Sequence, residues 1–432
     1  MPSSPQFDVE PRRDPRFFTR IVVLVLLIAL FAWAYFFIPS LKSRLSWEAD
    51  KASTYLRGVV DPAGPLPTPK SRAATKMLPE GFSLQGAPTG TAAVPEPTST
   101  PAAPQLPTTV PTSLPAHVVL PAPKWEKQEV NNCGPATLTM YLRFYGWNGN
   151  QDDISALIRP DPVDRNVNVE ELIYYTRTKA GWLNTQYRVG GTIPRLKELL
   201  AAGFPVMVEK GLAMKEDYWP DDDRWAGHYA LVTGYDDAKQ KFVVQDAFDG
   251  PDQKVDYGYL DQNWKAFNRV YILVYPPDQE AEIQSILGSD WNVDTNREHA
   301  LEAAKAEAEK DPQDAFAWFN QGTNLVYFER YAEAVQAYDT ARSLALPQRM
   351  LRYQFGPFIA YFNTGQIDEL LALVDYALKR TPNSEEALLW KGWGMIRKGN
   401  RDEAEKDFRE ALKIHPNYQD AKYALTYLDK NP

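Results

Sequence analysis

The chain has 432 residues, 44% of them hydrophobic and 24% charged, with a formal net charge of −9 and a single cysteine. That length can bury more than one core and suggests two or three domains. The acidic balance argues against nucleic acid as a partner, and one cysteine excludes an intramolecular disulfide framework.

Residues 1–20 are polar and carry Arg12, Arg13, Arg16 and Arg20. Residues 21–38, IVVLVLLIALFAWAYFFI, are uncharged and mostly apolar. As a helix they span about 27 Å, which matches a bilayer core. The arginines before this run outnumber Lys42 and Arg44 after it. A single-pass membrane helix is therefore expected, with a cytoplasmic N-terminal tail and the rest of the chain on the outer face of the cell membrane. No small-x-small site follows Ile38, which separates this run from a cleaved signal. A juxtamembrane segment, 39–61, leads into a Pro/Thr-rich stretch, 62–115, whose composition cannot bury enough apolar surface to order itself. It reads as a disordered stalk of at most roughly 190 Å, either a spacer or a linker of no selected length.

The run from Gln128 to Tyr145, QEVNNCGPATLTMYLRFY, places Leu138, Tyr141, Leu142 and Tyr145 at i, i+3, i+4 and i+7, with Gly146 just beyond. This predicts a helix starting at Cys133 with Asn132 as its N-cap. Unpaired N–H groups and the helix dipole in the first turn favour a thiolate there. A lone cysteine is also commonly a small buried hydrophobe, so its partners decide the matter.

Further helices are expected at 151–158, 169–179 (capped by Asn168) and 192–202, and strands at 205–208, 228–233, 241–245 and 270–275. That order is α+β, a cysteine-bearing helix against an antiparallel sheet. The intervening loop, KEDYWPDDDRWAG, carries Asp217, Asp221, Asp222, Asp223, Trp219 and Trp225. It is expected to border a cleft and favour a basic peptide, with Asp223 and Trp225 as contacts; the alternative is a solvated surface loop. Its carboxylates do not follow a calcium-loop spacing, and no metal ligand is assigned.

His228 opens an alternating segment that turns at Asp236, Asp237 and Lys239 and returns through 241–245 to Asp246. Such a hairpin brings His228 and Asp246 near one end of neighbouring strands. A thiol nucleophile needs a base, and the base needs an orienting carboxylate, so Cys133, His228 and Asp246 form a candidate constellation.

Gln128, NNCGPA at a helix start, GHYALVTGYD and VVQDAFDG together resemble the C39-type peptidases, papain-like cysteine proteases typified by the processing domain of bacteriocin-exporting ABC transporters. The resemblance covers residues 116–275. It implies Cys133 as nucleophile, His228 as general base and acid, Asp246 as orienting carboxylate and Gln128 as side-chain donor to the oxyanion. Asn131 and Asn132 are alternative amide donors, and Asp249 an alternative carboxylate. No metal or organic cofactor is implied. The chain lacks the nucleotide-binding motif and multi-helix export domain of the transporters.

Past Tyr275 a repeat of about 34 residues emerges. Trp318, Gly322, Ala334, Tyr338 and Ala341 mark one unit; Tyr361, Val374, Ala377 and Pro382 the next; Gly392, Ala404, Phe408, Ala411 and Pro416 a third. Residues 281–312 are read as a divergent leading unit. The pattern resembles tetratricopeptide repeats, which implies a protein or peptide partner on the repeats, unless they merely pack against the preceding domain. The expected multidomain plan is thus a tail (1–20), a transmembrane helix (21–38), a juxtamembrane segment (39–61), a stalk (62–115), an α+β papain-like domain (116–276) and an all-α repeat domain (277–432). The expected activity is peptide-bond cleavage; an inert peptide-binding module and an amidase or transamidase remain the alternatives.

Overall fold

The computed structural model describes residues 22–27, 30, 33, 39–62, 64, 66–69, 114–161 and 164–431. Much of the expected membrane span and most of the stalk lie outside the described residues. Residues 22–27 are helical, and among the described residues no helix is long and apolar enough to cross a membrane.

Among the described residues seven strands form one antiparallel sheet: β1 (His117–Val119), β2 (Asn184–Arg188), β3 (Val206–Ala213), β4 (Trp225–Asp236), β5 (Lys241–Asp246), β6 (Gly250–Asp256) and β7 (Tyr271–Tyr275). Their order is β2-β7-β3-β4-β5-β6, with β1 paired to the end of β4. Side chains alternate between two faces, as the period of a strand dictates. Met207, Tyr229, Leu231, Ile272 and Val274 pack with Leu138, Tyr141 and Leu142 of the helix Cys133–Phe144. Val206, Val208, Ala230, Val232 and Leu273 pack instead with Leu196, Leu199 and Leu200 of the helix Ile193–Ala201. The sheet is therefore covered on both faces, and the cysteine helix is anchored along its length.

Helices Gln151–Ile158 and Val169–Lys179 form where expected. In the second, the Glu171 carboxylate accepts the Asn168 N–H, so the chain entry is fixed by a capping box. Thr192 caps Ile193–Ala201 by accepting the Arg195 N–H, and Gly203 at φ +94° ends that helix. Strands β3 and β4 run further than expected, to Ala213 and from Trp225.

The C-terminal region consists of helix pairs, Ala315–Tyr327 with Tyr331–Ser343, Gly356–Asn363 with Ile367–Arg380, and Glu385–Arg397 with Arg401–Ile414, followed by Gln419–Lys430. The small residues do what the repeat pattern requires. A Cβ at Gly322 would stand 2.6 Å from the Tyr338 ring, and one at Gly392 2.3 Å from the Phe408 ring. The middle unit replaces this arrangement with Phe358 and Leu370, both fully buried. The leading unit expected over 281–312 forms differently. Ile283 and Leu287 of the helix Glu280–Leu287 join the sheet's core, because they extend the apolar face already offered by Leu196 and Leu199. Only Val293–Lys310 packs against the first helix pair.

The two regions share a large contact. Asn168 Nδ2 donates to Glu386 Oε1 at 2.9 Å, and Asn268 Nδ2 to Asn324 Oδ1 at 2.9 Å. The start of the expected stalk also lies on the repeats: Leu66 packs on their core, and Arg342 donates from Nη2 to the Pro67 carbonyl at 2.7 Å.

Candidate active site

Strand register brings two of the site residues together. Leu231 of β4 pairs with Gln245 of β5, so Asp246 falls one pleat period from His228 on the same face. Bulges at Val232/Gly234 and Val244/Asp246 bend this hairpin at the site. His228 Nε2 is 2.9 Å from Asp246 Oδ1, and both side chains are buried. The same carboxylate oxygen accepts the N–H groups of Phe248 at 2.8 Å and Asp249 at 3.1 Å. Trp125 Nε1 donates to the Asp246 carbonyl at 2.9 Å. Asp249 therefore contributes a backbone donor, and Asp246 provides the carboxylate.

Cys133 begins its helix and is half-buried. His228 Nε2 is committed to Asp246, and the imidazole also interacts with the Cys133 thiol. Burial pushes the thiol up, but the His228 hydrogen bond and charge, with backbone hydrogen bonds from Tyr229 and Gly134, outweigh it and lower the thiol pKa overall. Burial likewise opposes the imidazolium, yet the Asp246 carboxylate and the Cys133 hydrogen bond raise His228 to about 9. Asp246 is destabilised by burial and rescued by His228 and Lys210, which hold it well below the usual carboxylate range. The arrangement favours a thiolate and an imidazolium side by side.

Asn132 does not cap the helix with its side chain, contrary to expectation. Its Nδ2 donates to Gln151 Oε1 at 2.8 Å, and its Oδ1 accepts from Ser155 Oγ at 2.7 Å. It is thereby consumed as a structural tie and is unavailable as an oxyanion donor. Gln128 and Asn131 both line the cleft at Cys133, and each keeps a buried amide atom, Gln128 Oε1 and Asn131 Nδ2, without a hydrogen-bond partner. Gln128 is held in place by its backbone N–H, which donates to the Ala247 carbonyl at 2.9 Å. Asn131 sits at φ +55°, a left-handed conformation that Asn tolerates.

The cleft encloses about 520 Å³ and is lined by Gln128, Cys133, Glu209, His228 and Tyr229 from the sheet domain. Arg349, Arg352 and Tyr353 from the repeats complete its wall, and Lys51 reaches it from the helix Pro39–Val60. The acidic loop borders the cleft, but through other residues than expected. Met214, Lys215, Glu216 and Tyr218 line the cleft, but Asp223 and Trp225 do not. Asp222 is engaged by Arg349 at 2.5 and 2.6 Å, and Asp223 accepts the Gln348 N–H at 2.6 Å. Trp225 stacks on Phe267 at 5.6 Å with an interplanar angle of 10°. Asp222 and Asp223 thus latch the loop to the repeats, and Asp222 neutralises an arginine of this chain, so these two are not left to select a basic peptide.

Sequence reasoning missed Lys210 and Glu209, which lie beyond the strand expected at 205–208. Lys210 is directly opposite His228 in the β3–β4 register and only 4% exposed. Burial, followed by the nearby Cys133 charge, pushes the Glu209 carboxyl well above its usual range, which favours its protonated form beside the thiolate.

Residues 119–273 match the model of the Peptidase_C39 like family, and residues 385–418 match a tetratricopeptide repeat. A putative C39-like peptidase from Bacillus anthracis is similar at 18% identity over 37% of this chain and 96% of its own, with a TM-score of 0.30. The peptidase domain of Streptococcus ComA, a bi-functional ABC transporter involved in quorum sensing, is similar at 15% identity over 35% of this chain and 96% of its own, TM-score 0.27. YrrB, a tetratricopeptide protein with an unusual peptide-binding site, is similar at 20% identity over 34% of this chain and 89% of its own, TM-score 0.19. No curated protein matches the chain. Residues 119–273 thus carry a C39-like peptidase domain, joined in one chain to tetratricopeptide repeats.

Proposed function

We propose that the protein is a membrane-tethered cysteine endopeptidase that cleaves peptide bonds through Cys133, His228 and Asp246. The observation that carries this reading is the His228 imidazole fixed by the Asp246 carboxylate at 2.9 Å in the cleft that Cys133 also lines, where it lowers the thiol pKa. In the proposed cycle the Cys133 thiolate attacks the peptide carbonyl. The oxyanion accepts hydrogen bonds from the backbone N–H of Cys133 and the side-chain amide of Gln128, with Asn131 Nδ2 as a further donor. His228 gives its proton to the leaving amine, and a thioester remains on Cys133. His228 then takes a proton from water, whose oxygen attacks the thioester; the acid product leaves and the thiolate returns. Asp246 keeps the ring in one tautomer and supports its charge throughout.

The apolar run 21–38 would anchor the protein in the cell membrane, with residues 62–115 as the tether and the peptidase and repeat domains outside the cytoplasm. The repeats would recruit a protein substrate or partner. Site-specific alkylation tests the chemistry, because the chain has one thiol. Intact-mass measurement of iodoacetamide labelling from pH 4 to 10 is expected to give an apparent thiol pKa well below the ordinary value of about 8.5, returning towards it in His228→Ala. An inert thiol, or a profile indifferent to His228, would refute the catalytic reading.

A further inference from the structure

The repeats hold a piece of their own chain. Residues 61–69 read DPAGPLPTP, with proline at 62, 65, 67 and 69. Leu66 packs on the repeat core, and two arginines take carbonyl oxygens from the same stretch. Arg342 donates to the Pro67 carbonyl from Nε at 3.0 Å and from Nη2 at 2.7 Å. Arg380 donates from Nη2 to the Gly64 carbonyl at 2.9 Å. Each arginine lies in the last turn of the second helix of its pair, Tyr331–Ser343 and Ile367–Arg380, so they occupy equivalent places in consecutive repeats. Both are only 3% exposed, and both are also held by the repeats themselves. Arg342 donates to the Tyr361 hydroxyl at 2.7 Å and to Glu369 at 2.9 Å, and Arg380 lies 4.1 Å from the centre of the Tyr376 ring.

The two accepted carbonyls are three residues apart, and a polyproline II helix turns once in about three residues, so a chain of that kind presents such carbonyls on one side. Both arginine contacts go to backbone oxygens. A surface that offers donors suits proline, which has no N–H to strip of water and leave unpaired. Leu66, between the two carbonyls, supplies an apolar anchor. The pair between Lys379 and Asp61, at 2.8 Å, is exposed at both ends and adds little. A cavity of about 470 Å³ is lined by Asp61, Pro62, Gly64, Trp219 and Arg380, so the resident segment does not fill its seat.

We propose that this edge of the repeats is a docking surface for extended, proline-rich peptides carrying a leucine between the two accepted carbonyls, and that residues 61–69 occupy it in cis until a partner of that chemistry displaces them. The proposal deepens the reading of the repeats as a recruiting module and is independent of the chemistry at Cys133. A tethered occupant competes at an effective concentration on the order of millimolar, so a free partner binds well only once the resident segment has left.

The test uses the full chain in detergent and a fluorescently labelled peptide of sequence DPAGPLPTP, followed by fluorescence polarisation. Wild type is expected to bind this peptide at least about tenfold more weakly than a Leu66→Asp chain, in which the resident segment is released. Adding Arg342→Gln and Arg380→Gln to the released chain is expected to weaken binding again by at least about tenfold. Should that variant not fold, the released chain is kept and the peptide is changed instead. Asp in place of its leucine, or Ala in place of the prolines that match Pro65, Pro67 and Pro69, is expected to cost at least about fivefold. Equal binding by wild type and the released chain, binding that neither the arginine nor the peptide changes move, or no binding at all overturns the proposal. None of these outcomes alters the Cys133 alkylation profile, whose failure would refute the peptidase reading and leave the docking surface standing.

Discussion

Lys210 Nζ stands 4.0 Å from Asp246 Oδ2, and Lys210 is paired in register with His228, so a buried cation completes a row across three neighbouring strands. It opposes the imidazolium and supports the carboxylate that orients it. Removing it with Lys210→Met should therefore raise the His228 pKa above about 9. The alkaline limb of the Cys133 alkylation profile is expected to move upward in this variant, and imidazole NMR titration checks the direction.

Asp246→Asn keeps the shape of the site and removes its charge. Burial then dominates at His228, its pKa falls, and the thiolate loses its counter-charge. Peptide hydrolysis should drop by roughly 10²–10⁴ in kcat, while the thiol pKa rises; kinetics and labelling of the same preparation measure both.

The two side-chain amides that line the cleft, Gln128 and Asn131, can be ranked. Loss of an oxyanion donor typically costs about 10²–10³ in kcat with little change in KM. Gln128→Ala is expected to show that pattern. Asn131→Ala should show a smaller loss of the same kind if Gln128 is the principal donor, and the order of the two kcat values decides which amide carries the charge.

Buried carboxyls tie the domains together and set a pH dependence. Burial and their mutual repulsion raise Asp164 to about 8 and push Glu171 and Glu385 well above the usual range. The folded chain thus holds protons here that an unfolded chain releases near pH 4, so the contribution of these carboxyls to stability is greatest at low pH and is lost as pH rises from about 4 towards 8. The slope is about 1.4 kcal/mol per pH unit for each such proton. Thermal unfolding from pH 5 to 8 should show a falling midpoint, and Asp164→Asn should flatten the curve.

Gly392→Ala tests the repeat packing. Its Cβ would stand 2.3 Å from the Phe408 ring, so the helix pair must open, at about 1–3 kcal/mol. A lowered thermal midpoint is expected, with partial recovery when Phe408→Leu is added.

Much of this architecture is readable along the chain because it has local causes. The Cys133 helix has a period and a Gly stop, the His228 hairpin alternates around a polar turn, and Gly392 and Phe408 recur at a repeat spacing. Strands β2 and β6, NTQYR and GPDQKVD, escape notice because they lie at the sheet's ends and carry few apolar residues to mark a face. The fate of the acidic loop is hidden for another reason. Asp222 meets Arg349 across 127 residues, and no periodicity announces a pair of that kind.

The wall of the cleft formed by Arg349, Arg352 and Tyr353 has a thermodynamic corollary. Gly227, next to His228, lies so close to Tyr353 that a Cβ there would be 3.1 Å from its ring. A ligand of the repeats that displaces the short helix Met350–Tyr353 must change the affinity of the cleft for its own ligand. Linkage then requires the converse by an equal factor: a peptide seated at Cys133 alters, to the same extent, what the solenoid binds.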